Sequence, residues 1–124
     1  MYLLDTNTVI DFFNVRLPQT GIALLSTVEP YISVVTRIEL FASASISEKE
    51  KTSLEEFVQV ATIFDSINED IVKQTILIRQ QHRVKLPDAI IAATAMVHKL
   101  TLVSRNTSDF KNIQGLTVVD PWSI

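Results

Sequence analysis

Residues 85–97 read KLPDAIIAATAMV, and in them one carboxylate, Asp88, stands directly before nine residues that carry no charge. Pro87 fits the first turn of a helix, where its missing N–H would have had no helical partner in any case. An uncharged helix needs no acid to fold. Asp88 is therefore either a first-turn group that complements the helix dipole or a group held there for chemistry.

On the upstream side of this helix, Asn68 is placed to cap a helix over EDIVKQTILIRQQHR (69–83), whose apolar face is Ile71, Val72, Ile76 and Ile78. On the downstream side, LTLVS (100–104) and LTVVD (116–120) are short apolar strands. Further back, YLL (2–4), YISVV (31–35) and ATIFD (61–65) have strand composition. Between them lie helical stretches: TNTVIDFFN (6–14), PQTGIALLSTV (18–28) and TRIELFASA (36–44). Ser47 and Glu50 form a capping-box pattern that opens EKEKTSLEEFVQV (48–60). Strands separated by helices predict an α/β fold: a single domain over 1–124 with a central parallel sheet of about five strands and helices on both faces.

Composition removes several classes of function. The chain has 124 residues, 47% of them apolar, enough for one core and too few for two domains. Its longest apolar runs are far short of a membrane span, and MYLLDTN has no signal-peptide character, so a cytoplasmic protein is expected. With no cysteine, disulfides, thiolate nucleophiles and zinc–sulfur sites are all excluded. His82 and His98 lack a ligand-pair spacing, so any metal must be held by oxygen. The net charge of −3 argues against binding nucleic acid by bulk positive charge, though not against a local basic rim.

In open parallel sheets, ligands bind beyond the carboxyl ends of the strands, where the strand order reverses. Asp5 follows the first strand, Glu39 lies in the helix after the second, and Asp109 lies in the loop SRNTSDF after the fourth. Asp88 starts the helix that feeds the fourth strand, which puts it on the same edge. Taken singly, each acid has an ordinary explanation as a helix cap, a dipole partner or a solvated loop residue. Packing does not require all four on one edge, however. Asp11 is expected to be exposed on the first helix and is left outside the group.

Clustered carboxylates without cysteine or paired histidine suit Mg²⁺ or Mn²⁺. Two such charges about 5 Å apart at an effective dielectric of about 20 repel by roughly 3 kcal/mol, which a divalent cation relieves. Such a site binds phosphate oxygens and activates water for in-line attack at phosphorus. The expected chemistry is metal-assisted phosphodiester hydrolysis.

MYLLDTNTVID, SVVTRIEL, KLPDAIIAATA, LVSRNTSDFKNI and LTVVDPW, in that order and spacing, resemble the PIN-domain ribonucleases, and specifically the VapC-type toxins of type II toxin–antitoxin systems. The resemblance runs from residue 2 to about residue 122. It implies a catalytic quartet of Asp5, Glu39, Asp88 and Asp109, with Asp5, Asp88 and Asp109 holding Mg²⁺ or Mn²⁺. It places Ser104 and Asn106 close by, orienting the ligands. It further implies an endoribonuclease that cuts RNA, with tRNA the expected substrate, and so inhibits translation. The implied partners are a VapB-like antitoxin and a second copy of the chain, with a larger assembly when the antitoxin is bound.

Two departures stand out. Many relatives carry glycine shortly after the acid matched by Glu39, where this chain has ELFASAS, and the middle helices match only in character. Arg37, Arg79, Arg83, Lys85, Arg105 and Lys111 lie near the acids in sequence and could form a phosphate-gripping rim. Phe12, Phe13, Phe110 and Trp122 are expected in the core, with part of the early helices serving the dimer face and antitoxin groove. A haloacid-dehalogenase-like phosphatase is the rival enzyme, since DTNTV nearly meets its motif. Asn7, however, stands where that chemistry needs a proton-donating acid. A catalytically silent binding domain is the remaining alternative.

Overall fold

Leu3 and Leu4 are neighbours in sequence and belong to different cores. Leu102 and Val103 divide in the same way. Successive side chains of a strand point to opposite faces, so a sheet buried on both sides takes an apolar residue at every position. The computed structural model describes residues 1–124 and shows this arrangement. Strands β1 (Tyr2–Leu4), β2 (Pro30–Ser33), β3 (Thr62–Phe64), β4 (Thr101–Val103) and β5 (Val118–Val119) form one sheet in the order β3-β2-β1-β4-β5. All four pairings are parallel, with Leu4 opposite Val103 and Leu3 opposite Tyr31.

Seven helices connect and cover the strands: α1 (Thr6–Phe13), α2 (Gln19–Thr27), α3 (Val34–Phe41), α4 (Glu48–Val60), α5 (Glu69–Gln81), α6 (Leu86–Val97) and α7 (Thr107–Phe110). One face carries α5 and α6, whose Ile71, Ile78, Ile91 and Ala92 pack with Leu3 and Leu102. The other carries α1, α2 and α4, through Val9, Leu25 and Leu54. The α/β architecture expected from the alternating pattern is therefore present as one domain. No helix is long and apolar enough to cross a membrane.

Local signals explain most boundaries. Ile71 N–H donates to Asn68 Oδ1 at 3.0 Å, which opens α5 as expected. Glu50 N–H donates to Ser47 Oγ at 3.1 Å, and that hydroxyl donates to Glu50 Oε1 at 2.9 Å, opening α4. Two expectations fail. The β-branched Val34 and Val35, expected to continue the strand, begin α3 instead: Ser33 ends β2 by capping that helix, its Oγ accepting from Thr36 N–H at 3.1 Å. A cap bond outweighs a weak intrinsic preference of two side chains. SRNTSDF, expected as loop, contains the one-turn helix α7, which Phe110 anchors by complete burial.

The strand order steps from 3 to 2 to 1 on one side and 4 to 5 on the other. The winding reverses between β1 and β4, where doubly wound sheets form a crevice at the carboxyl ends of their strands. The carbonyl of Val103 closes this point, accepting from Asp5 N–H at 3.0 Å and Thr8 Oγ1 at 2.9 Å.

Candidate active site

Asp5 leaves β1 at the reversal and is the N-cap of α1, with Oδ1 accepting from Thr6 N–H at 2.8 Å. The ordinary capping role is thus real, but it uses only one oxygen. Oδ2 accepts from Ser104 Oγ at 2.7 Å, across 99 residues of sequence, and a cap has no use for that second bond. Asp5 is buried at 6% exposure and Ser104 at 0%. Burial pushes the Asp5 carboxyl above the usual range; the Ser104 and Thr6 bonds pull it back, and the Glu39 charge pushes it up again.

From Asp5, hydrogen bonds run outward in both directions. Thr6 Oγ1 donates to Glu39 Oε1 at 2.7 Å and lies 3.2 Å from Thr36 Oγ1. On the other side, Ser104 Oγ accepts from Asn106 N–H at 3.0 Å, and Asn106 Nδ2 donates to Asp109 Oδ2 at 3.0 Å. A single chain of contacts, Glu39–Thr6–Asp5–Ser104–Asn106–Asp109, therefore joins three of the four acids. Thr6 was missed from sequence. The available signal was a hydroxyl directly after Asp5 in LDTN, a position that looks like helix interior unless Glu39 is known to lie above it.

Asp88 joins the group by charge alone. It sits in the first turn of α6, half-buried, after a Lys85 N-cap that makes no side-chain capping bond. Its carboxyl is pushed up to about 6, first by desolvation, then by the charges of Asp5, Glu39 and Asp109, with Lys85 opposing. All three other acids act on it, so the four share one edge. Asp5 forms the floor, Asp88 stands half-covered, and Glu39 and Asp109 are exposed at the rim.

None of the four forms a salt bridge: the two ion pairs in the molecule are Arg16–Asp11 at 4.0 Å and Arg37–Asp65 at 3.3 Å. Arg37, expected on a basic rim, is paired with Asp65, just past the carboxyl end of β3. Asp11 is also unlike its expectation. Its side chain is only 15% exposed and accepts from Trp122 Nε1–H at 3.2 Å. Phe110 is core as expected, but Phe13 is 38% exposed on the wall of a cleft. Trp122 is half-buried, packed on one core while carrying Arg105 on its ring.

The donor chemistry fits a hard divalent cation: oxygen only, an excess of negative charge, and no ion pair to any of the four acids, with Lys85 the one cation acting on Asp88. No three His, Cys, Asp or Glu side chains here converge as a ready metal-ligand set. Two clefts of about 400 and 380 Å³ flank α1, and neither is lined by any of the four acids.

Replacing Ser104 by Ala tests the hydrogen-bond chain. It strands a buried carboxylate oxygen, so we expect a loss of about 1–3 kcal/mol in a urea titration. Divalent-metal affinity should fall about 10- to 100-fold by calorimetry, as when a group orienting a ligand is removed. A change below about 0.5 kcal/mol with unaltered metal affinity would count against the chain.

The PIN-domain family model matches residues 2–116. Among solved structures, a toxin–antitoxin complex from Klebsiella pneumoniae is 35% identical with a TM-score of 0.80, covering 100% of both chains. DNA-bound VapBC from Salmonella typhimurium is 26% identical with a TM-score of 0.78, covering 97% of each. FitAcB from Neisseria gonorrhoeae is 26% identical with a TM-score of 0.73, covering 100% of each. A comparison with curated proteins found no match. With acids spaced as in LDTN, RIEL, LPDA and NTSDF on the reversal edge of a β3-β2-β1-β4-β5 sheet, the chain belongs to the PIN-domain family, and its likeness to the VapC type runs along its whole length.

Proposed function

We propose that the protein is a Mg²⁺-dependent endoribonuclease, the VapC-type toxin of a type II toxin–antitoxin pair, which cuts tRNA in the cytoplasm and so inhibits translation. The observation that carries this reading is the four-carboxylate edge, where burial and then the charges of Asp5, Glu39 and Asp109 push Asp88 up to about 6 against Lys85, and none of the four acids is ion-paired.

In this reading Asp5, Asp88 and Asp109 hold the cation, which when bound supplies the positive charge that polarises a phosphodiester and its attacking water. The protein's own part is orientation. Ser104 and Thr6 fix both oxygens of Asp5, Asn106 fixes one oxygen of Asp109, and Thr6 fixes Glu39. Glu39, exposed and anchored at one oxygen, is free at the other to position the attacking water.

The solved neighbours named VapBC or toxin–antitoxin complex support a VapB-like antitoxin as partner. The apolar cleft lined by Phe12, Phe13, Leu25, Val28 and Phe57 is the face assigned to it. Val72 and Ile76, expected on the apolar face of α5, are exposed instead, and in this reading they meet a second copy of the chain together with the exposed Ile38, Leu77 and Leu86, rather than the early helices doing so. The protein should therefore sediment as a dimer and, with antitoxin, as a larger assembly.

The test is incubation with total RNA and Mg²⁺, followed by mapping of new 5′ ends. Discrete cuts in tRNA are expected, leaving 5′-phosphates, abolished by EDTA, restored by Mn²⁺ and suppressed by the cognate antitoxin. Absence of metal-dependent cutting, or turnover of small phosphomonoesters instead, would overturn the assignment.

A further inference from the structure

Arg105 follows Ser104 directly, so its backbone is fixed beside the floor of the acid edge. Its guanidinium carbon lies 4.3 Å from the centroid of the Trp122 ring, and it has no carboxylate partner. An ion pair would cancel much of the charge; an aromatic face attracts the cation and leaves the charge in place. The planar group also keeps its N–H edges free when one face rests on a ring, and those edges match the oxygens of a phosphate.

Trp122 is itself pinned. Its indole N–H donates to Asp11 Oδ2 at 3.2 Å and its backbone N–H to Asp120 Oδ1 at 2.9 Å. The buried Pro121 before it lies against α2, where Gly21 leaves no room for a side chain: a Cβ there would run into the Pro121 carbonyl oxygen. The DPW segment (120–122) is thus fastened to α1 and α2, and Arg105 rests on it. Of the rim cations expected from sequence, Arg37 is paired with Asp65, and Arg105 is the one held by an aromatic ring.

We infer that Arg105, held in place by Trp122, grips a backbone phosphate of the RNA strand adjoining the bond to be cut. This rests on the ribonuclease reading. Arg105 is the binding group and Trp122 a positioning residue. An exposed arginine that merely aids solubility needs no such support.

The experiment combines steady-state cleavage of tRNA by the full chain with RNA binding at several salt concentrations, cleavage being blocked in the binding arm by Asp88→Asn. Arg105→Gln should raise KM about 10-fold or more, the loss expected for a charge-assisted contact, and leave kcat within about 3-fold. The slope of log K against log salt should fall by about 0.7–0.9, the signature of one lost phosphate contact. Arg105→Lys should recover the slope but only part of KM. Trp122→Leu should raise KM several-fold, whereas Trp122→Phe, which keeps an aromatic face, should stay closer to the parent. Melting curves identify any variant that fails to fold, and Arg105→Gln alters only an exposed side chain. Parent protein that neither binds nor cuts RNA would overturn the ribonuclease reading and this inference together. A parent that cuts, with Arg105→Gln unchanged in KM and salt slope, overturns this inference alone, including when that variant only weakens suppression by the antitoxin.

Discussion

Asp88→Asn is expected to lower RNA cleavage more than about 100-fold while leaving the metal-free protein as stable as the parent or more so. Loss of groups that merely orient metal ligands costs about 10- to 100-fold, so loss of a ligand charge should exceed that. The stability effect has the opposite sign. An aspartate ordinarily titrates near ~3.9, and this one is raised to about 6 in the fold. The folded state therefore binds the proton more tightly than the unfolded state, and between about pH 4 and 6 stability falls as pH rises. Two pKa units would give about 3 kcal/mol, but the group is half-exposed and water screens it, so about 1–2 kcal/mol is expected. Loss of the first-turn dipole interaction, about 0.3–1 kcal/mol, offsets part of this.

Melting in EDTA at pH 7.5 and pH 4.5 reads the difference. Asn should help at the higher pH and lose most of its advantage at the lower, where the folded protein already holds Asp88 protonated. Mg²⁺ at ten times its Kd should stabilise the parent by about 1.4 kcal/mol and the variant less. A parent indifferent to Mg²⁺, together with a destabilised variant, would mean that the acid only starts a helix.

Phe110→Ala should cost about 3–5 kcal/mol, the range for truncating a buried phenylalanine. At a few degrees per kcal/mol, the melting temperature should drop by about 10–20 °C. Phe110 is fully buried against the core that holds Leu102 and Ile91, and it is the only buried residue of the one-turn helix α7. A single turn has almost no stability of its own. The truncation should therefore release Asp109 as well, and cleavage should fall by more than the unfolded fraction explains. Phe110→Leu, which keeps most of the volume, should recover much of both losses. A cost below about 1 kcal/mol for Phe110→Ala would show that α7 is held by something other than this ring.

The sheet was legible because both of its faces are buried. Leu3, Leu4, Leu102 and Val103 are apolar without a break, and Asn68, Ser47 and Pro87 mark helix starts by local chemistry. Val34 and Val35 misled because their preference is weak and Ser33 decides the matter through one hydrogen bond. The edge shared by the four acids followed from parallel topology. The bonds that orient them did not. Ser104 meets Asp5 across 99 residues, and Trp122 meets Asp11 across 111. Nothing in the local composition at either end announces such a partner. Thr6 and the covered Asp11 were missed for this reason, being polar residues whose meaning lies in a segment far along the chain.

The place of β1 in the middle of the sheet has a consequence for the order in which the acid edge is completed. Its neighbours are β2, which pairs Leu3 with Tyr31, and β4, which pairs Leu4 with Val103. A ribosome delivers Asp5 well before Ser104, Asn106 and Asp109, the nearest of which lies 99 residues further along. Pairings this distant in sequence also form late, because a long loop must close before they bring any gain. The nascent chain can fold α1 to α4 around β2 and β3 and still hold only half of the acid edge. On the proposed nuclease reading, a chain that ends before β4 should therefore cut nothing, because Asp109 and the Ser104 that orients Asp5 are still missing.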